Sequence, residues 1–302
     1  MNTYNSKNRG GWSVKSMNYL NNVKEVLYKL DDYWPLTLRQ IYYQLVATLI
    51  IDNNLKQYSK LSRILTKARL DNLVSWNAIE DRARTQLYSD GWSDAKSFIQ
   101  QEINYFLLGY RRNLLQSQNV ALELWVEKDA LSKICHKIAY KYCVPVVVAR
   151  GFSSISYIYK AKERIINNSN ENKKTIILYF GDLDPSGWEM LPAMLDTLQN
   201  EMGCGDMIEG HRCALTVDQI KRYNLPYSLD AIKEKDTRTK KYKEKFGSLA
   251  VELDALSPPI LEDIVKRSIE EKLDLKKLNE EKEYEKNDNL FIYDFKSKIK
   301  IK

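Results

Sequence analysis

Asp182 and Asp184 are the residues on which chemistry can first be built. They lie in Gly181-Asp182-Leu183-Asp184-Pro185-Ser186-Gly187, shortly after the apolar, β-branched run Thr175-Ile176-Ile177-Leu178. Such a run reads as a buried parallel strand. Residues two apart in an extended chain face the same side, so both carboxylates are expected to enter one space at the strand's end. Paired carboxylates suit a hard divalent cation such as Mg²⁺. Gly181, Pro185 and Gly187 shape the turn, and Ser186 is placed to cap a helix beginning near Trp188.

A third acid belongs to a similar element upstream. Val120 to Val126 forms another apolar run and ends at Glu127-Lys128-Asp129-Ala130-Leu131. An α/β sheet gathers the carboxyl ends of its strands along one edge, so Glu127 is expected to face Asp182 and Asp184 there. Taken singly, Glu127 also reads as a solvated loop acid and the two aspartates as turn formers. Lys128 and Arg150 fall at strand ends too, where each can meet phosphate or serve as ordinary surface charge.

The elements that must position these acids alternate regularly. A helix is expected from Ala130 to about Tyr142, a strand over Val144 to Ala149 and a helix from Ile155 to Ile166. After the strand that ends at the aspartates come a helix from Trp188 to Gln199, a loop from Gly203 to Gly210 and a last strand from Cys213 to Val217. This βαβ order predicts a mostly parallel sheet covered by helices.

The N-terminal part carries a different chemistry. Val14 to Leu30 has helical apolar spacing, and Thr37 with Gln40 forms a capping box for a second helix. On that helix Leu38, Ile41, Tyr42, Leu45 and Val46 share one face, whereas Tyr43 falls off it, near Arg39 one turn earlier. A tyrosine held off the core beside a guanidinium is poised to meet a phosphate, or is simply half-exposed. On the next helix Lys56, Lys60, Arg63 and Lys67 make a basic stripe, with no acid between Asn53 and Leu70. A basic front and an apolar back fit a recognition helix. Trp76 to Arg84 is expected to form a wing carrying Arg82 and Arg84 to the DNA backbone.

Together, Arg39-Gln40-Ile41-Tyr42-Tyr43, Val126-Glu127-Lys128-Asp129-Ala130 and Gly181-Asp182-Leu183-Asp184-Pro185-Ser186-Gly187 resemble the A subunit of topoisomerase VI and the related meiotic double-strand-break transesterases. The resemblance implies an α+β multidomain chain. A flexible start over 1–12 precedes a helical winged-helix domain over 13–117, then an α/β Toprim domain over 118–217 and a charged, mainly helical extension over 218–302. It implies that Glu127, Asp182 and Asp184 hold Mg²⁺, with Mn²⁺ able to substitute, and that Tyr43 attacks DNA to form a 5′ phosphotyrosyl link. It further implies a homodimer in which Tyr43 of one subunit works with the metal of the other, and a separate ATPase subunit for strand passage. The resemblance hardly reaches the C-terminal third.

Composition agrees with this direction. The chain of 302 residues carries a net charge of +7, and residues 1–117 hold 16 Lys/Arg against 10 Asp/Glu, so the excess lies beside the basic stripe and favours a polyanionic partner. No apolar run approaches a membrane span and the start lacks a signal-peptide core, so a cytoplasmic protein is expected, nucleoid-associated if its source is bacterial or archaeal. Cys204, His211 and Cys213 lack a fourth partner and standard zinc spacing. In the extension, residues 233–245 read as a mobile charged loop and Ile260 to about Glu285 as one long helix, with Glu252 and Asp254 read as structural rather than as further ligands of the metal site. Three functions stay open: a transesterase using Tyr43, a metal-dependent endonuclease using water, and a non-catalytic DNA-binding protein.

Overall fold

A computed structural model of the chain describes residues 11–80, 91–149, 155–227 and 239–298. Its first three helices form one packed unit. Helix α1 (Val14–Lys29) is capped by the Ser13 hydroxyl. Helix α2 (Leu38–Ala47) opens on the expected capping box: Gln40 Oε1 accepts from Thr37 N at 2.8 Å and Thr37 Oγ1 from Gln40 N at 3.3 Å. Helix α3 (Leu55–Leu70) starts at Asn54, whose side chain accepts from Gln57 N. Leu20, Val23, Leu27, Ile41, Leu45, Leu61 and Leu65 are buried between them, each contributing about 1.5–3 kcal/mol by leaving water.

The expected strand pair after α3 is not formed over residues 76–80. Trp76–Ala78 is a short 3₁₀ turn, followed by a single parallel bridge between Leu36 and Ile79. Arg82 and Arg84 lie outside the described residues, as does Arg150. Helix α4 (Ala95–Tyr105) is largely exposed, and the chain beyond it is irregular as far as the sheet. There Arg112 pairs with Glu281 and Asp288 at 2.6 and 2.9 Å, tying this link to the C-terminal extension.

The sheet follows in βαβ order: β1 (Val120–Val126), α5 (Asp129–Ala139), β2 (Val146–Val148), α6 (Ile155–Asn170), β3 (Lys174–Phe180), α7 (Pro185–Asp196) and β4 (Ile208–Ala214). All pairings are parallel, in the order β2-β1-β3-β4. Both faces are covered, which explains the nearly continuous apolar runs of β1 and β3. Leu122, Leu124, Val126, Leu178 and Phe180 join the core beneath α5, while Trp125, Ile177 and Tyr179 join a second core beneath α6 and α7. Glu123 is buried in this second layer because Arg164 holds it in a fork, at 2.7 and 2.8 Å.

Strand β4 begins earlier than its sequence suggests. Its polar residues Glu209, His211 and Arg212 occupy an edge strand that is only half buried. Gly210 belongs to it because a side chain there would press on Leu195 and Leu191, with a Cβ 2.7 Å from Leu195 Cδ1. After α8 (Val217–Arg222), residues 239–246 form α9 (Thr239–Phe246) rather than a charged loop, and Tyr242 is buried. The expected long helix is two: α10 (Pro258–Glu270) and α11 (Leu275–Lys298). Asp274 restarts the helix by accepting from Lys276 N and Lys277 N at 2.9 and 3.2 Å. Helix α10 packs on α5, so the extension is part of the sheet's cover. Among the described residues, no helix is long and apolar enough to cross a membrane.

Candidate active site

Strand order places β1 between β2 and β3, with the chain leaving β1 for β2 and returning beyond it to β3. This is a topological switch point, where α/β sheets open a crevice at the strand ends. Val126 pairs with Phe180, so Glu127 and Gly181 leave the sheet side by side. Glu127 Oε2 accepts from Asp182 N at 2.9 Å and from the Tyr179 hydroxyl at 3.3 Å. Burial and then the charge of Asp184 push its carboxyl upwards against these hydrogen bonds and the nearby Lys128.

Asp184 caps α7. Its Oδ1 accepts from Gly187 N at 2.6 Å, with Pro185 as the first helical residue, so Ser186 is not the cap. Gly187 is required by space: a Cβ there would lie 2.5 Å from Asp182 O and 3.1 Å from Glu127 Oε2. From below, Arg212 donates to the carbonyls of Gly181, Asp182 and Gly187 and fixes the turn.

Asp182 has a separate role. Its Oδ2 lies 2.9 Å from Lys128 Nζ and its Oδ1 accepts from Leu253 N at 2.7 Å. The same Nζ is 3.0 Å from Glu252 Oε2 and 3.0 Å from Asp254 Oδ2. Lys128 is thus buried among three carboxylates rather than offered to phosphate at the surface. Burial alone would lower its pKa, but Asp182, Asp254 and Glu252 raise it well above the ordinary lysine value. Asp254 has no solvent exposure and, among the described residues, neither of its oxygens accepts a hydrogen bond; Lys128 is its ion-pair partner. The segment carrying Glu252 and Asp254 is clamped here by a two-way backbone bridge, Leu183 to Val251, at 2.9 and 3.0 Å.

Tyr43 is buried, at 8% exposure, contrary to its position off the apolar face of α2. The reason is a second partner: α2 is covered on that side by the 3₁₀ turn Leu253–Ala255 and its flanks. Arg39 Nη1 meets Glu252 Oε2 at 3.0 Å. Burial, then Glu252, raises the Tyr43 hydroxyl far above its normal range, with Lys128 and Arg39 pulling the other way. Arg39, Tyr43, Tyr58, Asp184 and Glu252 line one cavity of about 530 Å³. The candidate nucleophile, its guanidinium and one of the aspartates therefore meet within a single chain.

Among the described residues, no group of three or more His, Cys, Asp or Glu side chains is placed to hold one metal ion. The expected three-carboxylate cluster is not assembled, because Asp182 is turned to Lys128 and Leu253. Glu127 and Asp184 each keep an oxygen that accepts no hydrogen bond among the described residues, and their charges interact. That donor set suits Mg²⁺, which takes one or two carboxylates and completes its shell with water and substrate phosphate. Cys204, His211 and Cys213 form no zinc group among the described residues; His211 Nε2 instead meets Glu209 at 2.5 Å.

On α3, Lys56 and Arg63 are exposed. Lys60 lies over the Tyr19 ring at 4.6 Å and Lys67 over Trp12 at 4.7 Å. Sequence reasoning missed the part played here by Arg212. It reads Glu252 and Asp254 as structural, and their ion pairs with Lys128 agree with that reading. No family model and no curated protein matches the chain.

Proposed function

We propose that this chain cleaves double-stranded DNA in a Mg²⁺-dependent transesterification, with Tyr43 as nucleophile. The observation that carries the reading is the shared cavity, which Tyr43 and Arg39 from the N-terminal helices line together with Asp184 at the switch point of the sheet. The motif resemblance to topoisomerase VI A subunits, in a Toprim-like sheet preceded by a basic helical unit, supports the same assignment. Glu127 and Asp184 would hold the ion, with Asp182 keeping Lys128 beside them. When bound, Mg²⁺ neutralises charge on the phosphoryl oxygens and on the leaving oxygen.

The protein's own residues supply the rest. The exposed Lys56 and Arg63 draw the duplex to α3, and Arg39, 44% exposed at its side chain, orients the phosphate at the cavity mouth. Tyr43 attacks phosphorus and retains the 5′ phosphate, leaving a free 3′ hydroxyl. A homodimer would present two such cavities to the two strands, and strand passage would require a separate ATPase subunit.

One observation favours a second reading, a metal-dependent endonuclease. Tyr43 is buried and its hydroxyl is hard to ionise, so water in place of Tyr43 would be the nucleophile. Denaturing gels after phenol extraction separate the two. Transesterification leaves protein on 5′ ends and Tyr43→Phe abolishes cleavage, whereas an endonuclease leaves bare ends and tolerates the substitution. Binding without nicking in either Mg²⁺ or Mn²⁺ would leave only the DNA-binding reading.

A further inference from the structure

We infer that Glu252 is the base that accepts the Tyr43 proton, within the same chain. This rests on the transesterase reading and adds to it a catalytic residue from a segment the motif resemblance does not cover. Glu252 Oε2 is the point where three elements meet: Arg39 Nη1 from α2 and Lys128 Nζ from the end of β1 each lie 3.0 Å away, and both line up against the tyrosine that shares α2 with Arg39. Tyr43 and Glu252 line the same cavity, close enough for the charge of the carboxylate to act on the phenol.

The charges around the pair make the transfer workable. Tyr43 faces Glu252, Lys128, Arg39 and Asp254; Glu252 faces Lys128, Arg39 and Tyr43; Tyr42, Tyr58 and Asp184 complete the titratable lining. In the resting site Lys128 and Arg39 overcome the effect of burial and hold Glu252 ionised and weakly basic. An arriving phosphate draws the half-exposed Arg39 towards itself, which makes the carboxylate a better acceptor as the substrate binds. The Tyr43 O–H proton then passes to Glu252, the Oη–P bond forms, and the P–O3′ bond breaks with its electron pair on O3′, which takes a proton from water. Lys128, fixed by Asp182 and the buried Asp254, offsets the negative charge that builds on the phenolic oxygen.

The test is single-turnover formation of the denaturant-stable protein–DNA adduct in Mg²⁺, using end-labelled duplex with wild type, Glu252→Gln, Glu252→Asp and Tyr43→Phe. Loss of a positioned base costs on the order of 10²-fold or more, so Glu252→Gln should slow adduct formation by about that factor. Its rate should then climb roughly tenfold per pH unit above neutrality, as expected for direct ionisation of the phenol, while wild type stays flat. Glu252→Asp should recover part of the rate. A duplex with bridging sulfur at the scissile 3′ position, which needs no proton on its leaving group, should leave the Glu252→Gln deficit in place. A near-wild-type rate for Glu252→Gln, an unchanged pH profile, or erasure of the deficit by sulfur would overturn the assignment while leaving Tyr43 as nucleophile. If wild type forms no adduct, or Tyr43→Phe cleaves as well as wild type, the transesterase reading fails and takes this inference with it.

Discussion

Lys128 Nζ lies 2.9 Å from Asp182 Oδ2: the second residue beyond β1 neutralises the second residue beyond β3, across strands whose last residues, Val126 and Phe180, are in register. Glu252 and Asp254 complete the arrangement around the same ammonium. Four groups from distant parts of the chain are thus mutually dependent. Removing Lys128 strands the two buried carboxylates, Asp182 and Asp254, and leaves Glu252 to Arg39.

Lys128→Met should therefore destabilise the fold by about 3–5 kcal/mol, the range for breaking a buried ion pair from one side. Urea denaturation measures this. Adding Asp254→Asn in the Lys128→Met background should restore part of the loss, because one uncompensated buried charge is removed. A cost below about 1 kcal/mol would show that the cluster is solvated in practice.

Gly187→Ala tests the close approach of α7 to the strand ends. The new methyl would meet the Asp182 carbonyl at 2.5 Å, and backbone cannot give way there as a flexible side chain can. Overpacking of this kind costs about 1–3 kcal/mol, and any cation-dependent activity should fall further than stability does. An unchanged melting temperature together with unchanged activity would contradict the packing described.

Much of the sheet was legible because buried parallel strands announce themselves: Val120–Val126 was read to the residue, and the acids were rightly placed at strand ends. What escaped were features set by partners remote in sequence. A helical wheel reports one buried face, so it put Tyr43 outside. The segment covering it arrives more than two hundred positions later. β4 was misplaced because an edge strand tolerates Glu209 and His211, and Asp274 was overlooked as a helix start. The cap of α7 was decidable in advance, since Pro185 at the first helical position points to Asp184 before it. The pairing of Asp182 with Lys128 instead of Asp184 was not, because alternation assigns a side without saying which neighbour waits there.

A pH dependence follows from burial at the site. Asp182 is raised by burial and by Glu127, more than Lys128 and the Leu253 hydrogen bond lower it. The folded chain therefore holds this proton over a window starting at the ordinary aspartate value of about 3.9 and ending at the raised folded value. Across that window the folded state binds more protons than the unfolded state, so stability falls as pH rises. Glu252, held low despite burial by Lys128 and Arg39, works oppositely, its contribution being lost only as pH falls below about 4. Asp182→Asn should consequently gain on wild type in melting temperature between pH 5 and 7.5. If wild type gains on the variant instead, the Lys128 pairing outweighs desolvation.

The basic face of α3 predicts salt-sensitive, sequence-tolerant DNA binding. Lys56→Ala and Arg63→Ala should each weaken binding to unrelated duplexes alike and reduce the slope of log K against log salt by about 1. Fluorescence anisotropy at several salt concentrations checks this. A loss confined to one sequence would point to base reading, and no loss would remove α3 from the interface.

The central claim is that Tyr43 and the acids at the strand ends act together on a DNA phosphate. Its most direct measurement is supercoiled-plasmid cleavage in Mg²⁺, run with wild type, Tyr43→Phe and Asp182→Ala and scored both for broken strands and for protein retained on denatured 5′ ends. The account predicts linear or nicked product bearing covalent protein for wild type, and none from either variant. Cleavage by Tyr43→Phe with bare ends, or intact plasmid in every lane despite measured DNA binding, would contradict it.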